Sequence, residues 1–212
     1  WQLNDCWPVT SWAGLDYYGK WKALHYHVKR AYAPVMIRVA EKEGSIDVYA
    51  VNDHLEDKEV ELRLELMDFN GTRIVSKRET IVLPARTNQL IYSMSDKVDD
   101  PENTVLFSGL FENDSAVSSS FHYFAPTKDM KLPDPGLTFE IDKTASGLQL
   151  TLHTVKHARQ IYLEVPGFDG RFDDNFFDMA AGETKTVDYE GSTDVNKMSE
   201  KLKIKSIYDT YH

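Results

Sequence analysis

The chain has 212 residues, 42% of them hydrophobic, and a formal net charge of -10 at pH 7. That length holds one large domain or two small ones, with enough apolar residues for packed cores. The acidic balance and the dispersal of the Lys and Arg argue against nucleic-acid binding, no run of about eighteen apolar residues is present to cross a membrane as a helix, and the single Cys6 rules out a disulfide framework within the chain.

All four tryptophans, Trp1, Trp7, Trp12 and Trp21, fall in the opening segment. Trp1 and Leu3 alternate as a short strand that ends at Asn4, Asp5 and Pro8, residues that favour turns. Asp16 caps a predicted helix whose first turn is Tyr17 to Gly19. Along it Trp21, Leu24, His25, Val28 and Tyr32 recur on one face, with Lys20, Lys22, Lys29 and Arg30 on the solvated flank. Pro34 stops it. Cys6, between Asp5 and Trp7, reads as a small packed group and not as a nucleophile, since no basic partner is near in sequence. His25 and His27 are two apart on the helix and point away from each other, so they share no metal. A strand and a helix do not make a domain. Either this segment finishes an α/β domain lying elsewhere, which makes the chain a piece of a larger protein, or it packs on the sandwich that follows.

After Pro34 the period changes to alternation. Strands are expected at Met36 to Glu41, Ile46 to Ala50, Val60 to Leu66, Arg73 to Val82, Thr87 to Tyr92, Val105 to Phe111 and Ser118 to Phe124. In the third, Val60, Leu62, Leu64 and Leu66 alternate with Glu59, Glu61, Arg63 and Glu65, so that one face packs and the other is wet. Asn70-Gly71 turns this strand into the next. Short strands at regular spacing predict a two-sheet sandwich of immunoglobulin type over 34–126. Asp53, Glu56 and Asp57 lack the spacing of a calcium loop and read as a solvated turn.

Residues 127–135, proline-bearing and polar, read as a semi-stiff linker. A second sandwich follows over 136–212, with strands at Leu137 to Ile141, Leu148 to Leu152, Ile161 to Val165, Val187 to Tyr189 and Leu202 to Ile207, and a turn at Ser146-Gly147. Between the third and fourth lies a run in which Phe168, Phe172, Phe176 and Phe177 mix with Asp169, Asp173, Asp174 and Asp178. The simplest reading is a long crossing anchored by the phenylalanines, with the acids in water. A calcium site of the four aspartates and a sugar-binding row of rings are weaker alternatives. His122 and His153 have no evident partners.

Three stretches near the start, WQLNDCWPVTSW, DYYGKWKALHY and KRAYAPV, resemble the end of the catalytic barrel and the first linker of family 2 glycoside hydrolases of the β-mannosidase type. Near the other end, ARQIYLEVPGFDGRFDDNFFDMAAGE resembles that family's last immunoglobulin-like domain. The middle sandwich matches in kind more than in motif.

The resemblance implies a mainly β chain: residues 1–33 as the last strand and helix of a (β/α)8 barrel, then two immunoglobulin-like sandwiches. It implies a parent enzyme that removes terminal, non-reducing β-D-mannose with retention. Such chemistry needs two carboxyl groups about 5–5.5 Å apart. The family's catalytic glutamates lie on earlier barrel strands, one following an Asn, and Trp1 to Pro34 holds neither an Asn-Glu pair nor any glutamate. No catalytic residue, metal or cofactor is therefore assigned to this chain, which is expected to be inactive alone. By resemblance Trp1 lines the sugar pocket, with Asn4 and Asp5 shaping it near the strand end, the active face of a barrel; for Asp5 a cap or ion-pair role is the structural alternative. The expected partner is a β-mannoside bound through the parent barrel, with self-association of the chain through the unmatched tryptophan face. The implied compartment is periplasmic or secreted, lysosomal in a eukaryote. An exo-β-glucosaminidase parent and a non-catalytic carbohydrate-binding module are the rival readings.

Overall fold

From Val35 onward the chain alternates apolar and polar residues, and almost every such run forms an antiparallel strand. The structure, a computed structural model, describes residues 2–145, 147–191 and 194–212. It divides into two compact units: Arg30–Leu132, and the N-terminal segment up to Lys29 together with Pro133–His212. Trp1 and Ser146 of the expected first strand and turn lie outside the described residues.

The helix of the opening segment, α1 (Ala23–Ala31), is shorter than expected. Asp16 does cap, but it caps a turn: its carboxylate accepts the amides of Tyr18 and Lys20 at 2.8 Å each, and Gly19 takes a φ of 78°. That closes the backbone on itself, and Trp21 returns to bridge Leu15 before α1 begins. The buried face also differs from the predicted one. Tyr26 is the residue of α1 that is buried, whereas Leu24, Val28 and Tyr32 are 37%, 38% and 83% exposed. Cys6 is exposed, not packed, because the loop that carries it lies on the surface.

The first sandwich holds β1 (Val35–Lys42), β2 (Ser45–Asn52), β3 (Lys58–Asp68), β4 (Arg73–Leu83), β5 (Thr87–Ser95), β6 (Thr104–Glu112) and β7 (Ser115–Tyr123). They form two antiparallel sheets, β1-β2-β5 and β4-β3-β6-β7. Every expected strand is present: β1, β2, β3 and β6 bury an apolar face between the sheets, while β4, β5 and β7 are held mainly by their backbone pairing with these neighbours. Val60, Leu62 and Leu64 of β3 meet Ile37, Val48 and Ala50 in the core. The outer face of β3 is a charge lattice and less wet than expected. Arg63 pairs with Glu61 and Asp114 and lies over the Phe111 ring at 4.0 Å, while Arg73 reaches Glu65 at 3.3 Å. The β3–β4 turn rests on Asp68, whose carboxylate accepts the amides of Asn70 and Thr72, and Gly71 supplies the positive φ of 92°. His122 does have a neighbour, Glu41 at 3.7 Å, but burial outweighs that charge and lowers its pKa.

The second sandwich has β8 (Thr138–Lys143), β9 (Leu148–His153), β10 (Ala158–Glu164), β11 (Arg171–Phe172), β12 (Phe177–Met179), β13 (Thr184–Glu190) and β14 (Lys203–Lys205), with α2 (Val195–Lys201) before the last strand. Its sheets run β11-β13-β9-β8 and β12-β10-β14. The sequence pattern left α2 and the two short strands β11 and β12 unseen. Asp194 caps α2 by accepting the Lys197 amide, and Met198 fills the core beneath it. His153, too, has a partner, with Nδ1 2.8 Å from the Thr184 hydroxyl.

The expected crossing is a bridge between the sheets. Phe172 and Phe177 are core residues. Asn175, 4% exposed, holds the backbone of Leu163 on β10 from both sides: Oδ1 accepts its N–H and Nδ2 donates to its carbonyl, each at 2.9 Å. Three of the four acids are engaged, which the solvated reading did not foresee, while Asp169 faces water as expected. Asp173 exchanges backbone and side-chain bonds with Asp188, Asp174 pairs with Lys185 at 3.1 Å, and Asp178 accepts the Gln160 amide at 2.7 Å. No described trio of His, Cys, Asp or Glu is placed to hold a metal.

Asn175→Ala strands two buried backbone groups of Leu163, and equilibrium urea unfolding should report a loss of about 3 kcal/mol in the C-terminal unit. His157 yields a pH prediction. Burial holds its imidazole down at about 4, with Asp178 pulling the other way and Arg159 adding to the depression. The unfolded chain takes up this proton near pH ~6.5 and the folded unit does not, so stability present at neutral pH falls as the pH drops toward 4. Glu183, pushed up by burial, works in the opposite sense. The His157→Gln variant isolates the effect: its urea midpoint should decline less than that of the unsubstituted chain between about pH 7.5 and pH 5.

Candidate functional site

The described residues with a sequence-level claim to a site are Asn4 and Asp5; Trp1 lies outside the described residues. Both sit where the backbone runs parallel to Leu15. Leu15 donates to the Leu3 carbonyl at 2.9 Å, and the Asp5 amide donates to the Leu15 carbonyl at 3.1 Å. This two-rung ladder fixes the Asn4 backbone, while the Asn4 side chain stays exposed and, among the described residues, donates to the Asp5 carbonyl at 3.3 Å.

Asp5 is different. It is 2% exposed, and both carboxylate oxygens are occupied. Lys22 reaches Oδ2 at 2.7 Å, and Ser11 and Gln2 donate to Oδ1. The Ser11 hydroxyl in turn accepts the Ala13 amide. The hydrogen bond from Lys22, then that from Ser11, hold the Asp5 carboxyl below the usual carboxylate range against its burial. It is an anion with its acceptor sites filled, suited to fixing the loop and not to passing a proton. Ser11 and Lys22 carried no sequence signal, because their meeting with Asp5 depends on the chain doubling back at Asp16.

The segment is anchored to the C-terminal sandwich through α1. The Tyr26 hydroxyl donates to the Phe172 carbonyl at 3.2 Å, and Lys29 Nζ donates to the Asp173 carbonyl at 2.7 Å. Phe176, held at a φ of 53°, puts its ring 6.0 Å from Tyr26 and stacks on Tyr162 at 5.0 Å. The Arg171 guanidinium lies over Trp21 at 4.8 Å. Of the aromatics of 168–177, Phe176 therefore seats the segment while Phe172 and Phe177 lie in the core and Phe168 packs against it, and they do not form an exposed row. Elsewhere the segment carries exposed apolar side chains: Trp7 is 71% and Trp12 69% exposed, with Leu3, Val9, Leu24 and Val28 also open.

Two family models match the chain. Residues 44–129 match a Mannosidase Ig/CBM-like domain, and residues 132–210 match the Ig-fold domain of Ig_mannosidase. Curated relatives match from end to end. A mouse (Mus musculus) β-mannosidase is 30% identical over 100% of this chain, and β-mannosidase A of Aspergillus terreus is 32% identical over 99% of it. The chain spans 25% of the length of each, in their C-terminal regions. Among solved structures, the β-D-mannosidase of Dictyoglomus thermophilum shares the fold with a TM-score of 0.89 at 24% identity, covering 97% of this chain and 25% of that one. An exo-chitosanase of Amycolatopsis orientalis does so with a TM-score of 0.74 at 16% identity, covering 98% and 29%.

Lys22→Met leaves the Asp5 carboxylate without its cation, and the cost falls on the local ladder. Hydrogen exchange at the Asp5 and Leu15 amides should accelerate about tenfold or more, while that of Leu150 in the sandwich core stays unchanged.

Proposed function

We propose, from the premise that this chain belongs to the β-mannosidase family of glycoside hydrolases, that it is the accessory C-terminal region of an enzyme that removes terminal, non-reducing β-D-mannose. One observation carries this: the end-to-end match to β-mannosidases at 30% and 32% identity spans the N-terminal segment as well as both sandwiches. The exposed apolar side chains of that segment support it, since large exposed apolar surfaces in soluble proteins mark interfaces. In this reading Trp7, Trp12, Leu24 and Val28 face the rest of a catalytic barrel, and the sandwiches buttress it. The likeness to the exo-chitosanase, at 16% identity, concerns the fold alone and favours a glucosaminidase parent less.

Retention by double displacement calls for an acid/base and a nucleophile about 5–5.5 Å apart. Both are assigned to other strands of the barrel, because the segment from Trp1 to Pro34 contains no glutamate. Trp1 forms a wall of the sugar pocket, Asn4 stands at its rim with a free side-chain carbonyl, and Asp5 is a positioning residue that acts through Lys22 and the loop it secures. A periplasmic, secreted or lysosomal location suits a glycan-degrading parent.

The isolated chain should release no nitrophenol from 4-nitrophenyl β-D-mannopyranoside, whereas the enzyme that contains it should, with retained anomeric configuration. Turnover by the chain alone would overturn the assignment. In that enzyme Trp1→Ala should lower kcat/KM on the order of a hundredfold. The isolated chain should also self-associate through its open face; size-exclusion chromatography of Trp7→Ser/Trp12→Ser should shift it toward the monomer.

A further inference from the structure

β4 ends its four-stranded sheet, and among the described residues no strand pairs with its outer edge. The strand is long, from Arg73 to Leu83, and of its residues Leu83 alone is buried. Ile74, Val75 and Val82 are open apolar side chains along it. A long exposed edge of this kind is a template for another strand.

How β4 bonds to β3 decides what the edge offers. Pairs in an antiparallel ladder alternate between hydrogen-bonded and not. The Asp68 amide donates to the Thr72 carbonyl, and Leu66, Leu64, Leu62 and Val60 follow on β3 at steps of two. Their partners Val75, Lys77, Glu79 and Ile81 therefore bond to β3. Ser76, Arg78, Thr80 and Val82 turn their backbone groups the other way, toward the open edge. The Val82 carbonyl agrees with this phase, since it accepts the Gln89 side chain at 3.1 Å.

The sequence of β4 is complementary to itself about Arg78. Set antiparallel against a second copy, Lys77 stands opposite Glu79, Ser76 opposite Thr80 and Val75 opposite Ile81. Past the bulge at the start of the strand, Ile74 comes near Val82. Cation meets anion, hydroxyl meets hydroxyl and apolar meets apolar, pairings that stabilise a ladder. The backbone phase fits as well. Ser76, Arg78 and Thr80 meet only one another, so outward groups face outward groups and form about six hydrogen bonds. Lys77 and Glu79 already lie 2.7 Å apart on one chain, and the copy adds a second pair of opposite order beside them. Arg78 faces its own copy, a like-charge pair that Glu61 tempers: that carboxyl is held below its usual range by Arg63 first and by Arg78 as well. A foreign strand would match this edge by accident, whereas a second copy matches it by its own sequence.

We propose that β4 is a homodimerisation edge, on which two copies of this chain pair β4 to β4, antiparallel, about a two-fold axis at Arg78. The two four-stranded sheets become one continuous sheet. Such a contact uses the same patch on both copies, so it closes on itself and does not propagate. It involves no residue of the tryptophan-bearing N-terminal segment.

The test is amide hydrogen exchange of the full chain at about 10 µM and at about 1 mM. In the dilute chain Ser76, Arg78 and Thr80 should exchange as open amides, and Lys77 and Glu79 as bonded ones. At the higher concentration exchange at Ser76, Arg78 and Thr80 should slow about fivefold or more, and the alternation along β4 should fade. Lys77→Glu sets glutamates opposite each other at both symmetric positions and should bring the alternation back. Lys77→Glu/Glu79→Lys rebuilds the cross-pair with its signs exchanged and should remove it again. Exchange at Val48, in the opposite sheet, reports that every variant is folded. The proposal is overturned if Ser76, Arg78 and Thr80 exchange as fast at about 1 mM as at about 10 µM, the result also expected if another domain of a parent enzyme owns this edge. It is equally overturned if Lys77→Glu protects these amides as well as the unsubstituted chain does, or if the double exchange fails to recover what the single one lost.

Discussion

The side-chain amide of Asn175 does for Leu163 what a neighbouring strand would do. It offers one acceptor and one donor at the spacing of a peptide group, and so completes the edge of β10 where no strand backbone is available. Everything around it follows from that attachment. With Asn175 fixed, Phe172 and Phe177 are directed into the core, and Phe176 is turned outward at a positive φ. Asp173 and Asp174 fasten the near side to β13, and Asp178 fastens the far side to β10. A buried amide of this kind is costly when half satisfied and rigid when fully satisfied. Here it is satisfied, and the run from Arg171 to Met179 behaves as a cross-brace between two sheets in a chain whose one thiol, Cys6, lies exposed on the N-terminal segment.

The same brace makes a platform. The outward ring of Phe176 and the backbone carbonyls of Phe172 and Asp173 are the features that Tyr26 and Lys29 grip. The N-terminal segment thus joins a sandwich more than a hundred residues away in sequence. It is also internally secured, since Asp5, Ser11 and Lys22 tie its two arms together. The segment is therefore ordered and yet carries exposed apolar side chains. The segment that carries the exposed Trp7 and Trp12 is anchored to the sandwich through Trp21, Tyr26 and Lys29, which is what an accessory domain must do if its task is to present a surface to a neighbour.

The middle sandwich reaches stability by another route. Its buried core around β3 is aliphatic with Tyr92 packed against it, and the outer face of that strand is bound up in ion pairs and a cation–π contact. Exposed pairs contribute little singly, and their value here lies in lining up the register of β3 against its neighbours. Asp47, almost fully buried, shows the same economy on the other sheet, with Lys42, Ser93 and Tyr49 all meeting its carboxylate.

Strand after strand from Val35 to Tyr123 was legible because period-two alternation is a local property, written in residues that touch one another. The family resemblance was legible for a similar reason: WQLNDCW and DNFFD are contiguous. The roles of their members were legible only in part. An ion pair was one reading of Asp5, but its partner Lys22, like the tasks of Asn175 as a strand surrogate and Tyr26 as the buried residue of α1, depends on contacts 17, 12 and 146 positions away. The predicted helix failed from Asp16 to Lys22 because an Asx turn and a chain reversal satisfied the same cap. Leu24 and Val28 belong to the predicted apolar face yet stay open, because a helical stripe records that a face is apolar without recording which neighbour covers it. Local chemistry decides which segments become strands, since each backbone must satisfy its own hydrogen bonds wherever it lies; which acid is spent, which ring becomes a seat and which face stays open are decided only when distant segments compete for the same partners in three dimensions.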